Sequence, residues 1–232
     1  MMLEIIATSV TDAIAAERSG ADRLELCAAL SEGGLTPSLG MVEAVVQAVD
    51  IPVHVIVRPH SRTFHYDESD LAVMLADIRY IKQAGAAGIV VGVLNEDNKV
   101  NTGALSRFLQ EAGEMKVTFH RAFDDIDDQL EALEVIASFP QIQRILTSGG
   151  QAPAPEAAEQ LKKLVDKSRN TSVRILAGNG MSPETLSGLV TATGLEEVHF
   201  GSAVRVNRSF AHPIDEAVLA GVKSELLQLG ES

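Results

Sequence analysis

A single cysteine, Cys27, stands in 232 residues, so no disulfide can form within the chain and a reducing compartment is compatible. Basic residues are scarce: 19 Lys and Arg face 32 Asp and Glu, for a formal net charge of −13. That balance excludes a nucleic-acid partner, because displacing the counterions of a polyanion needs a surplus of positive charge. It does not exclude a local basic pocket for a small anion. No apolar run reaches the ~18 residues a membrane span requires, so no membrane partner is expected. The opening segment MMLEIIATSVTDAIAAE has no basic start, so no secretory leader is expected. A cytoplasmic location is the expectation. Cys-x-x-Cys, GxGxxG after a strand and the P-loop are all missing, which removes a structural zinc site and the common nucleotide cradles.

What is present is a repeated alternation. Hydrophobic residues make up 46% of the chain, enough for a packed globular core that buries roughly three quarters of the unfolded surface. Short apolar, β-branched runs recur at residues 3–7, 23–27, 53–59, 88–94, 117–122, 144–148, 173–177 and 198–201. Their starts lie about 20 to 35 residues apart, the length of a strand, a helix and two short loops. Ile89-Val90-Val91 and similar continuous runs suit parallel strands covered on both faces.

Between the runs the period changes to that of a helix. Residues 70–84 place Leu71, Met74, Leu75, Ile78 and Ile81 on one side and stop at Gly85. Residues 11–19 stop at Gly20, and Ser182-Pro183-Glu184 opens another helix. Gly20-Ala21 and Gly85-Ala86 read as the same helix-to-strand turn used twice. The last helix is expected over residues 216–227, with Val218, Val222 and Leu226 against the body. No linker divides the chain. Eight such units indicate a single-domain (β/α)8 barrel over residues 1–232; an open doubly wound sheet is the alternative that periodicity leaves standing.

In a barrel the chemistry sits at the C-terminal ends of the strands. Glu25, Arg58, His120 and Arg121 would converge there, with Asp124 just beyond. Charges embedded in apolar strands need partners or a ligand. Glu25 paired with Arg58 or Arg121 would be a purely structural solution; a catalytic or binding mouth is the other. His120 is the first acid/base candidate because an unperturbed imidazole titrates near neutrality. His199 could equally be a core histidine. Gly178-Asn179-Gly180 and Gly201-Ser202-Ala203 follow the last two strands, where backbone amides in many barrels hold phosphate. No strand end offers a lysine for Schiff-base chemistry, and the first strand has no His-x-His.

Several blocks also resemble one family. GADRLELCAALSEGGLTPSLG (Gly20–Gly40), IPVHVIVRP (Ile51–Pro59), VTFHRAFD (Val117–Asp124), RILTSG (Arg144–Gly149) and the HFGSA end of the eighth run are similar, in order, to the CutC copper-homeostasis family. The resemblance implies a (β/α)8 barrel in the cytoplasm with a role in copper homeostasis. It attributes copper binding to cysteines near the ends of the first two strands. Cys27 matches the second of these, whereas Ile6 stands at the first. The segment PHSRTFHYD (Pro59–Asp67) departs from the Gly-Gly stretch common in relatives.

Two functions therefore stand side by side. One is copper homeostasis with Cu(I) on Cys27. The other is an enzyme or binder of a small phosphorylated or anionic metabolite, using Glu25, Arg58, His120 and Arg121. Cu(I) favours at least two soft ligands at short range. His54 lies about 13 Å deeper than Arg58 along its strand, and Met41 sits among helix-packing valines. Tight Cu(I) binding by the monomer is therefore not expected. A homo-oligomer is the expected assembly.

Overall fold

The structure, a computed structural model, describes residues 1–230. Eight strands and eight α-helices alternate among the described residues: β1 (Met2–Ala7), α1 (Val10–Arg18), β2 (Arg23–Leu26), α2 (Leu39–Ala48), β3 (Val53–Ile56), α3 (Glu68–Gln83), β4 (Gly88–Val91), α4 (Thr102–Ala112), β5 (Lys116–Phe119), α5 (Gln129–Ala137), β6 (Ile142–Thr147), α6 (Ala158–Ser168), β7 (Arg174–Ala177), α7 (Pro183–Thr193), β8 (Glu197–Phe200) and α8 (Glu216–Gly230). Every neighbouring pair is parallel, and β1 pairs with β8, closing the ring in sequence order. Closure removes the open-sheet alternative and leaves no unpaired edge.

Local chemistry explains the elements. Ser9, Ser38, Asp67, Asn101 and Asp128 each accept a backbone N–H in the first turn of the helix that follows, satisfying donors that have no intrahelical partner. Ser182 and Thr185 form a capping box ahead of α7. At the ends of α1 and α3 the same turn recurs. Ala21 N–H donates to Ala16 O and Ala86 N–H to Ile81 O, with Gly20 and Gly85 at φ 96° and 84°. Only glycine adopts that conformation freely.

Four expectations shift. The runs at 53–59, 88–94 and 117–122 leave the sheet early, at Ile56, Val91 and Phe119. Past those points the chain turns to present side chains at the mouth; Arg121–Asp125 forms a 3-10 turn. On α8 the buried face is Leu219, Val222 and Leu226, while Val218 is exposed. Spacing alone does not distinguish two apolar stripes one residue apart.

The main apolar core lies between strands and helices. Leu3, Ile5, Leu24, Leu26, Val55, Ile89, Val91, Val117, Phe119, Ile145, Val198 and Phe200 point outward into it and are buried. The alternate residues point into the lumen, which is largely polar. The register sets Arg23, Gly88, Arg144 and Glu197 of the even-numbered strands in one layer, with Glu4, His54, Thr118 and Leu176 of the odd-numbered strands next above. Arg23 bonds to Glu4 and, at 2.7 Å, to Glu197; Arg144 Nε reaches Glu197 at 3.0 Å. Gly88 leaves room for His54: a Cβ there would sit 2.7 Å from the imidazole.

Removing one partner of a buried ion network strands the others without water or counter-charge. Arg23→Met should cost about 3–5 kcal/mol, lowering Tm by roughly 10 °C for a domain of this size. Calorimetry would contradict this if Tm moved by less than about 3 °C.

Candidate active site

A cavity of about 650 Å3 opens at the C-terminal end of the barrel. Glu25, Arg58, His120, Arg121, Asp124 and Cys27 all face it, as do Asn179, Gly180, Gly201 and Ser202. These sequence-derived candidates therefore share one mouth, although their individual roles differ from the simplest reading.

Glu25 forms neither of the ion pairs considered for it. Its Oε2 lies 3.6 Å from His199 Nε2, and the Cys27 thiol donates to the same carboxyl. On the other side of the ring, His199 Nδ1 donates to Glu4 Oε1 at 2.8 Å. The result is a carboxylate–imidazole–carboxyl chain from the lumen floor to the cavity. Burial pushes the Glu25 carboxyl up. Burial also pushes Glu4 up, but Arg23 and His199 outweigh it and hold Glu4 well below the usual carboxylate range. His199 is opposed by burial yet raised by its hydrogen bond to Glu4 and by the charge of Glu25. The Glu4–His199 contact was not legible in the sequence: the two residues are 195 positions apart and meet because β1 closes on β8.

His120 serves a different role from the acid/base one expected. Its Nδ1 accepts the Ala122 N–H at 3.1 Å, so the ring proton resides on Nε2, which is buried and has no partner among the described residues. Burial, aided by the Arg58 charge, pushes its pKa down to about 3. At neutral pH it is an uncharged hydrogen-bond donor. Gly92 makes the space, since a Cβ there would lie 2.4 Å from His120 Nδ1.

Arg58 is nearly buried and is held by neutral groups. Its Nη1 donates to Glu32 O and Gly34 O at 3.2 and 3.3 Å, and Nη2 to Ser61 O at 3.4 Å. Phe64 lies under the guanidinium at 4.7 Å, and Nε has no hydrogen-bond partner among the described residues. No carboxylate pairs with it among the described residues. Arg121 does have one: its Nε donates to Asp124 Oδ2 at 2.8 Å. Both Asp124 oxygens are already occupied by Thr147 and Ser148 as well. Asp124 is therefore placed to hold Arg121 at the rim rather than to act on a ligand.

The turns after β7 and β8 divide in the same way. Gly178 N–H donates to Thr147 O at 3.0 Å, and a Cβ there would meet Leu146 at 2.7 Å and His199 at 3.2 Å. Gly178 is a spacer and not part of the cavity wall. Asn179 and Gly180 follow in the left-handed region at φ 71° and 76° and line the cavity together with Ser202 and Ala203 of the neighbouring turn. Arg208 and Phe210 complete this side. Arg208 and its neighbour Asn207 stand at φ 52° and 55°, a costly conformation for such side chains. The sequence carried no signal for Arg208 beyond its charge.

Copper fits these residues poorly. Cys27 is packed with Ile56, Val90, Ile6 and Leu30, and burial together with the Glu25 charge pushes its thiol well up. A thiol held protonated is a weak ligand. Among the described residues no group of three or more His, Cys, Asp or Glu is arranged to hold a metal ion, and no helix is long and apolar enough to cross a membrane.

Fold and mouth together define a TIM-barrel protein with a charged lumen and a polar, partly enclosed site at the strand ends. The CutC family model matches residues 1–204, and the chain belongs to the CutC family. The human copper homeostasis protein cutC homolog is 39% identical over 198 residues, covering 85% of this chain and 72% of that protein. A CutC family protein of Klebsiella pneumoniae is 41% identical over 214 residues, covering 91% and 85%. The crystal structure of a CutC protein from Streptococcus agalactiae superposes with TM-score 0.82 at 29% identity, over 87% of this chain and 98% of that one. N-(5'-phosphoribosyl)anthranilate isomerase of Pyrococcus furiosus gives TM-score 0.64 at 13% identity, over 98% and 99%, a likeness of fold alone.

The buried histidines make stability depend on pH. Burial pushes His54, like His120, down to about 3, whereas both titrate near 6.5 when unfolded. Between those values the unfolded chain binds more protons. Their stabilisation is complete above about pH 6.5 and is lost as pH falls. His199, shifted the other way, gives stability that is complete below about 6.5 and is lost as pH rises through its folded value. Unfolding at pH 5 should therefore be easier than at pH 7 by about 2 kcal/mol for each of His54 and His120. Urea midpoints at the two pH values check this; equal midpoints would contradict it.

Proposed function

We propose that this chain binds and turns over a small anionic metabolite at the barrel mouth. The observation that carries the reading is Arg58, a nearly buried cation held by neutral carbonyls and the Phe64 ring, with Nε facing no acceptor among the described residues. Leaving a buried charge without a counter-charge is costly, and an anionic ligand supplies one. The uncharged His120 Nε2–H offers a second donor beside it. Asn179, Gly180, Ser202 and Ala203 offer backbone amides at the rim, as suits a phosphate, while the Arg208 guanidinium beside them is paired with Glu184. The proposed ligand has two poles, one held at Arg58 and one at the turns after β7 and β8. A cytoplasmic setting, where such metabolites are abundant and Cys27 stays reduced, agrees with this reading.

Copper, the role in the relatives' name, finds one buried thiol here. Reduced protein titrated against a Cu(I) chelator should give no tight stoichiometric site. Retention of one Cu(I) per chain against a strong chelator, abolished by Cys27→Ser, would favour the copper role. The anion is checked by thermal shift and calorimetry with inorganic phosphate, sugar phosphates of three to six carbons and small carboxylates. At least one should bind, and Arg58→Gln should weaken it by about 30-fold or more, as for truncation of a buried charge partner. Equal affinity in the variant would remove Arg58 from the site.

A further inference from the structure

The mouth has two chemically distinct sides, and together they specify a reaction. Glu25 and His199 come from β2 and β8, the strands flanking β1. His120 directly follows β5, across the ring, and Arg58 lies two residues past β3. The first side is a carboxyl coupled to an imidazole, whose far nitrogen is anchored on Glu4. The second side is a pair of donors without protein acceptors, one cationic and one neutral. Donors fixed before the reaction and shielded from water stabilise charge that develops on an oxygen. A carboxyl raised by burial is matched to taking a proton from carbon. A neutral imidazole serves as an electrophile in such sites because it is not a charge to be neutralised.

We infer that the site catalyses proton transfer at the carbon next to a carbonyl, on a phosphorylated hydroxy-carbonyl compound such as a ketose or aldose phosphate. This rests on the anion-binding reading above and goes beyond it by assigning the reacting atoms. The Glu25 carboxylate removes the α proton. The C–H electron pair forms the carbon–carbon double bond of an enediol(ate), and the carbonyl π pair moves onto oxygen, where Arg58 Nε–H and His120 Nε2–H receive it. Returning the proton from Glu25 to the neighbouring carbon, as the hydroxyl proton passes across the cis enediolate to the former carbonyl oxygen, gives the isomer; returning it to the same carbon gives exchange with solvent. No oxidant or further reactant is required. Glu25 is the catalytic residue; His199 is the positioning residue that keeps its carboxyl facing the cavity, and Glu4 fixes the orientation of His199. The phosphate pole accounts for the Asn179–Gly180 and Ser202–Ala203 turns, and the cavity, at about 650 Å3, has room for a sugar phosphate.

The test is proton NMR in D2O of the full chain with dihydroxyacetone phosphate, glyceraldehyde 3-phosphate, ribose 5-phosphate, ribulose 5-phosphate and fructose 6-phosphate. Wild type should wash out the α C–H signal of at least one compound. Glu25→Gln should slow this by at least about 100-fold while retaining affinity within about 3-fold. Glu4→Gln should displace the pH–rate profile with little change in KM, an effect that a merely structural role would not produce. A compound that binds in an Arg58-dependent way without exchanging in wild type overturns the proton-transfer assignment and leaves the binding site standing. Exchange at the wild-type rate in Glu25→Gln overturns it as well. If none of the five binds, the anion reading fails for this class and the inference falls with it.

Discussion

The pairing of β1 with β8 places Glu4 against both Arg23 and His199, and the interior of this barrel depends on that contact. One carboxylate serves two partners. Toward the floor it neutralises Arg23, which in turn holds Glu197 and, through it, Arg144. Toward the mouth it fixes the imidazole that addresses Glu25. The charge network that fills the lumen and the chain of groups that reaches the cavity thus share a residue. A barrel filled with valine and leucine would pack as densely, but it would not transmit an orientation from the floor to the mouth. The cost is burial of several charges, which is offset only because each has a bonded partner.

Space in the lumen is apportioned by glycines on β4, just after β4 and after β7. Gly88 clears the volume taken by His54, Gly92 that taken by His120, and Gly178 that taken by His199 and Leu146. Large polar rings occupy the lumen because these backbone positions carry no Cβ. The histidines are then desolvated to different ends. His54 and His120 lose their charge, while His199, with a carboxyl on either side, keeps it more readily. Three imidazoles in one barrel differ in role because their neighbours differ, as general acid–base chemistry requires of groups sharing a site.

Family membership and site chemistry bear on different questions. The family match ends at residue 204, but Arg208 and Phe210 lie beyond it and still form part of the cavity wall. Copper stands in the names of the human relative and of the Streptococcus agalactiae structure; the donors in this mouth are oxygen and nitrogen groups, with one protonated, apolar-packed thiol. An unpaired arginine, a neutral imidazole N–H and glycine-bearing turns form a set suited to oxyanions.

The alternation of apolar strands and amphipathic helices, the repeated Gly-Ala turns and the capping residues are local properties, and they determined a repeated β/α fold; the pairing of β1 with β8 decided for a closed barrel over an open sheet. Alternation along each strand likewise sent Glu25, Arg58 and His120 to one face, because side chains on a strand point to opposite sides in turn. What remained undetermined was which groups meet. Glu25 could have paired with Arg58 or Arg121; it faces His199 instead. His120 could have titrated near neutrality; burial and the Arg58 charge keep it neutral. Asp124 could have acted on a ligand; Thr147, Ser148 and Arg121 occupy it. Each outcome depends on closure of the ring and on desolvation, which arise only when residues remote in sequence exclude water together. Pattern along a chain reports the direction of a side chain; its partner, charge and accessibility are decided by the packed structure.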